Sequence, residues 1–85
     1  MYRLLYRKAA LKGLRRMPPR QAERMTEALM QIARNPRGYG GDWKPLAGSP
    51  YWRLRIGRFR AICEIRDESL VVLVLRAGPR GDVYK

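Results

Sequence analysis

The sixteen residues YWRLRIGRFRAICEIR, Tyr51 to Arg66, limit what this chain can fold into more than any other stretch. Apolar residues alternate with arginines on either side of Gly57, the two-residue period of strands whose faces meet different surroundings. Ile56-Gly57-Arg58-Phe59 fits a two-residue hairpin turn with Gly57 at its first central position, where a positive φ is wanted. Counting back from that turn sets Ile56 against Phe59, Arg55 against Arg60, Leu54 against Ala61, Arg53 against Ile62 and Trp52 against Cys63. One face of the hairpin is then wholly apolar, made of Trp52, Leu54, Ile56, Phe59, Ala61 and Cys63, and requires a layer of helices over it. The other face carries Arg53, Arg55 and Arg60, with Ile62 and Glu64 further along. A slip of one residue would bury the three arginines and expose the six apolar groups, which excludes it.

Arg55 and Arg60 therefore face one another across the strand pair. Like charges in that relation are unfavourable by roughly 0.2–1 kcal/mol. Solvation, or neutralisation by Glu64, Asp67 or Glu68, would relieve the repulsion without any function. An anion held between the guanidiniums would turn it into forked, charge-assisted hydrogen bonding, and this is the reading we carry forward. The whole chain leans the same way, with 19 basic residues against 7 acidic ones and a net charge of +12. A compositional preference for Arg over Lys does not account for an excess of bases over acids. The excess points to a polyanionic partner, nucleic acid before an anionic membrane or an acidic protein.

Several chemistries are excluded. The longest apolar run, Leu70–Leu75, is far shorter than a membrane-spanning helix. The opening residues MYRLLYRK are too short and too charged to supply the apolar segment of a secretory signal, and none is expected. Cys63 is the only cysteine, so no internal disulfide forms and a reducing cytoplasm is the expected setting. With no histidine in the chain, neither a His/Cys zinc site nor a histidine general base is available, and no cofactor is implied.

The remaining elements follow from pattern. Tyr2–Tyr6 reads as a short strand, and Arg7 to Arg16 as a helix with Ala10, Leu11 and Leu14 on one face. Met17-Pro18-Pro19 breaks it, with a proline in the first turn of the next helix and no side-chain cap. That helix buries Ala22, Met25, Leu29, Ile32 and Ala33, and ends at Asn35-Pro36. Residues 35–50, rich in Gly and Pro, read as loop, and Trp43 and Trp52 as packing residues. Leu70–Leu75, apolar on both faces, reads as a central strand. The order is β-α-α-β-β-β, one domain over residues 1–85 in the α+β class, a helical hairpin on one face of the sheet.

KPLAGSPYWRLRIGRFRAICEI followed by LVVLVLRAGPRGDVYK resembles the RelE/ParE superfamily of toxins from toxin–antitoxin pairs, above all the RelE-type mRNA interferases. The resemblance spans the chain in element order and roughly residues 44–84 in motif. It implies a four-stranded antiparallel sheet under the helical hairpin. It also implies metal-independent cleavage of mRNA in the ribosomal A site, by attack of a ribose 2′-OH on the adjacent phosphate, and an acidic antitoxin as partner. By position, Arg53 and Arg55 match the basic pair on the second strand, Arg60 the arginine after an aromatic on the third, Arg80 the arginine beyond the last strand, and Tyr84 the tyrosine near the end. Lys44 and Arg58 extend the expected RNA-binding surface. Relatives place a Lys base or a Glu–His pair in this site. Here Arg53 and Arg55 stand instead, and an arginine stays protonated and makes a poor base. Two further functions remain open on the sequence, a ParE-like inhibitor of DNA gyrase and an RNA- or ribosome-binding module without catalysis.

Overall fold

The computed structural model describes residues 1–79. Its elements are β1 (Arg3–Tyr6), α1 (Lys8–Arg16), α2 (Pro19–Arg34), β2 (Trp43–Pro45), β3 (Tyr51–Ile56), β4 (Phe59–Arg66) and β5 (Val71–Pro79). The hairpin register is the one the alternation demands, from Ile56 opposite Phe59 back to Trp52 opposite Cys63. Gly57 has φ +58°, in the region a side chain disfavours and this turn needs. Leu54, Phe59, Ala61 and Cys63 are buried in one cluster with Met25, Leu29 and Ile32 of α2 and Ala10 and Leu14 of α1. Burial pushes the Cys63 thiol up to about 12, so it packs as an inert apolar group.

The sheet corrects the expected four antiparallel strands in two places. It has five strands in the order β1-β5-β4-β3-β2, and β1 runs parallel to β5, pairing Arg3–Tyr6 with Val71–Val74. β5 is thereby an interior strand between β1 and β4, and Val71, Val72, Leu73 and Val74 of its apolar run are all buried. The fifth strand is β2, inside the stretch that reads as loop. It pairs Trp43, Lys44 and Pro45 with Leu54, Arg53 and Trp52. A short edge strand tolerates a terminal proline, so the Gly and Pro content concealed it. Trp43 secures the strand: its indole N–H donates to the Pro36 carbonyl at 2.7 Å and its ring stacks on Trp52 at 5.1 Å between centroids. Both tryptophans are packing residues.

The helices match expectation in their bodies. α2 starts with Pro19 in its first turn and no side-chain cap, and it buries Met25, Ala28, Leu29, Ile32 and Ala33, with Ala22 partly covered. In α1, Ala10 and Leu14 are buried while Leu11 stays exposed. Beyond the helices, Asp67 ties three segments together. It accepts from Tyr2 of the amino-terminal segment and from both terminal nitrogens of Arg37, at 2.9 and 3.1 Å. The Arg37 bonds, then the Tyr2 bond, hold the Asp67 carboxyl below its ordinary range.

Gly13 sets how closely α1 lies on β5. A Cβ at this position would stand 1.8 Å from the Ala77 carbonyl oxygen, a backbone atom with no freedom to yield. Helix propensity alone gives Gly13→Ala a gain of roughly 1 kcal/mol, and the clash opposes it with a larger cost. We expect Gly13→Ala to lower the melting temperature by several degrees in a thermal unfolding experiment, against the usual direction of a glycine-to-alanine change in a helix.

Candidate nucleic-acid interface

The face of the sheet away from the helices collects the cations. Across β2, β3, β4 and β5 one row reads Lys44, Arg53, Ile62, Arg76, and the next level reads Arg55, Arg60, Gly78. Arg76 arrives there through an irregularity that sequence reading missed. Cys63 pairs with Val74 but Ile62 pairs with Arg76, so Leu75 is the extra residue of a bulge. Strict alternation from Val72 and Val74 would have aimed Arg76 into the helices; the bulge turns Ala77 inward and Arg76 outward. The signal was present as a charged residue at an inward position of an otherwise apolar strand.

Of the acids with which the sequence offered to neutralise this face, two are engaged elsewhere, and Glu68 has no ion pair among the described residues. Glu64 pairs with Arg66, and Asp67 with Arg37. The carboxylate that meets the arginines is Asp42, just before β2. The Arg55 N–H donates to the Asp42 carbonyl at 2.9 Å, which extends the β2–β3 ladder by one residue and sets Asp42 at the level of Arg55. Its two carboxylate oxygens then part: Oδ1 accepts from Arg53 Nη2 at 2.5 Å, and Oδ2 stands 3.2 Å from Arg55 Nε. Asp42 was invisible as a site residue because the strand that places it read as loop.

Arg53 and Arg55 thus differ in character. The Arg53 side chain is 14% exposed and bonded to Asp42, whereas that of Arg55 is 49% exposed. Arg55 meets Asp42 through Nε, and no acceptor among the described residues engages its two Nη groups. Arg58, at the hairpin turn, stands with its guanidinium carbon 5.3 Å from the Phe59 ring centroid, held by an aromatic of the helix-facing side. The structure therefore brings Lys44, Arg53, Arg55 and Arg60 onto one face and leaves Arg58 at the tip. Arg80 and Tyr84 lie outside the described residues. A cavity of about 240 Å³ opens between α1 and β5, with Lys12, Arg16 and Arg76 around a floor that includes Gly13, Ala77 and Gly78. Arg76 is thereby common to the arginine row and to this cavity.

Residues 2–84 match the family model described as ParE toxin of type II toxin–antitoxin system, parDE, and the chain belongs to that family within the RelE/ParE superfamily. It is a toxin of a type II toxin–antitoxin system. The solved structures it is similar to include the RelE–RelB complex of Pyrococcus horikoshii OT3, at 26% identity and TM-score 0.80 over 94% of this chain and 96% of that one. They also include the RelBE2 toxin–antitoxin complex of Mycobacterium tuberculosis, at 28% identity and TM-score 0.78 over 93% and 98%. The intact E. coli RelBE complex matches at 24% identity and TM-score 0.80 over 93% and 96%, a likeness of fold. No curated protein matches the sequence. No helix among the described residues is long and apolar enough to cross a membrane.

The difference between the two β3 arginines is measurable. Arg53→Ala removes a part-buried group and leaves Asp42 without its closest partner, at an expected cost of about 1–3 kcal/mol. Arg55→Ala, at a half-exposed position, is expected to change stability by less than about 0.5 kcal/mol. Chemical unfolding of the two variants beside the wild type checks both values.

Proposed function

We propose that this toxin is a metal-independent endoribonuclease that cuts mRNA in the ribosomal A site. The observation that carries the reading is the opposition of Arg55 and Arg60, with Lys44, Arg53 and Arg76 in the adjoining row, on rigid strands that face solvent rather than core. Attack of a 2′ oxygen on the neighbouring phosphorus forms a new O–P bond and breaks the P–O5′ bond. The products are a 2′,3′-cyclic phosphate and a 5′-hydroxyl end. Charge accumulates on the non-bridging oxygens on the way, and fixed guanidiniums offset it without reorganising. Arg60, and Arg80 by its position in the resemblance, fill that role together with Arg55. Tyr84 stacks on a base or passes a proton to the leaving 5′ oxygen. Arginine keeps its proton, so the acceptor of the 2′ proton is a group of the RNA, the ribosome or the solvent.

The partner that restrains this toxin is an acidic antitoxin laid across the cationic face. RelE pairs with RelB in the similar complexes, and the charge here suits the same arrangement. Both proteins act in the cytoplasm. A second reading, inhibition of DNA gyrase by binding, is favoured by the ParE description of the matched family.

Primer extension on a defined mRNA in a purified translation system tests the proposal. The wild type is expected to cut within A-site codons only when ribosomes are present, and Arg60→Ala, Arg80→Ala and Tyr84→Ala each to lose about 10²–10³-fold in rate. Absence of cuts while ribosome binding persists would make the face a phosphate grip without chemistry. Absence of cuts with loss of gyrase supercoiling on plasmid DNA would establish the second reading instead.

A further inference from the structure

We infer that Asp42 is a positioning residue of the RNA site, which fixes Arg55 so that its two Nη groups face the phosphate. The inference rests on the proposed endoribonuclease reading for its consequence, but its geometry stands alone. Asp42 and Arg55 are joined twice, by the backbone bond of 2.9 Å and by the side-chain approach of 3.2 Å at Nε. The second carboxylate oxygen is held by Arg53, whose own side chain is largely covered, so the carboxylate is itself oriented from below. Trp43, buried on the opposite face and hydrogen-bonded to Pro36, anchors the strand that follows.

A free arginine side chain spreads over many rotamers and surrenders that freedom when it grips a phosphate. An ion pair at Nε removes part of that loss beforehand and leaves both Nη groups without an acceptor among the described residues. Asp42 also lowers the mutual repulsion of Arg53 and Arg55, since it pairs with both.

The sign of the effect separates positioning from simple charge. Removing an acid from a chain of net charge +12 tightens RNA binding by electrostatics alone. A positioning role demands the reverse in the chemical step. In Asp42→Asn we expect the single-turnover cleavage rate to fall about 10–100-fold, the range usual for groups that orient a functional side chain, with KM unchanged or lower. Asp42→Glu, which restores the charge on a longer arm, is expected to recover part of the rate. In an Arg55→Ala background Asp42→Asn is expected to cost nothing further. An Asp42→Asn enzyme that cuts at the wild-type rate, or a loss that adds in full to that of Arg55→Ala, would overturn the inference.

The same variants are to be compared by NMR at the arginine Nε–H groups, a readout independent of cleavage. A resolved Arg55 Nε–H signal in the wild type, absent from Asp42→Asn and back in Asp42→Glu, supports the positioning. An Arg55 signal as averaged in the wild type as in Asp42→Asn overturns it. If the wild type cuts no mRNA yet its Arg55 signal depends on Asp42, the endoribonuclease reading fails while the alignment of Arg55 stands.

Discussion

Two oxygens of one carboxylate, shared between Arg53 and Arg55, hold together the surface this toxin presents. Without Asp42, Arg53 and Arg55 would stand on β3 without the carboxylate that pairs with both. With it, the repulsion is reduced but not cancelled, and a net positive field remains for a ligand to neutralise. Much of the local structure serves that placement. β2 is only three residues long, and Pro45 closes it; Trp43 stacks on Trp52 and bonds to the end of the α2 connection, so that the residue before the strand meets Arg55. The hydrophobic core acts at one remove. Burial of Leu54, Ala61 and Cys63 beneath α2 obliges the residues between them to face the other way.

That obligation explains why the hairpin was legible in the sequence residue by residue. A period of two, a glycine where a positive φ is wanted and one apolar face leave a single register, and the structure adopts it. The helices were legible for the same reason, apolar residues at three- and four-residue spacing. What escaped were features in which local composition and long-range pairing disagree. The β2 segment carries a proline and follows a glycine pair, and only its partner β3 makes it a strand. The parallel pairing of β1 with β5 joins the two ends of the chain's order and leaves no local mark. Arg76 needed a bulge at Leu75 to reach the outer face. Of the expected site, Lys44, Arg53, Arg55 and Arg60 came together on one surface, whereas Asp42 and Arg76 had to be found in three dimensions.

The comparisons and the chemistry weigh different parts of the molecule. The family model describes a ParE toxin, while the similar solved structures are RelE toxins bound to RelB. One scaffold serves both, and fold alone does not select a target. The choice falls to the open face. A surface made to dock on a folded protein has no need of cross-strand arginines held apart from the core and pinned by a carboxylate. A surface made to grip a phosphodiester does, because guanidiniums on neighbouring strands meet its oxygens together.

The proposed site takes an RNA phosphate between Arg55 and Arg60. Titration of the isotope-labelled toxin with a short single-stranded RNA, blocked against cleavage by 2′-O-methyl groups, tests it most directly. Amide and arginine Nε–H shifts are expected to concentrate at Arg53, Arg55, Arg60 and Arg76 and to weaken steeply as salt rises. Shifts confined to the exposed sides of α1 and α2, with the strand arginines undisturbed, would contradict it.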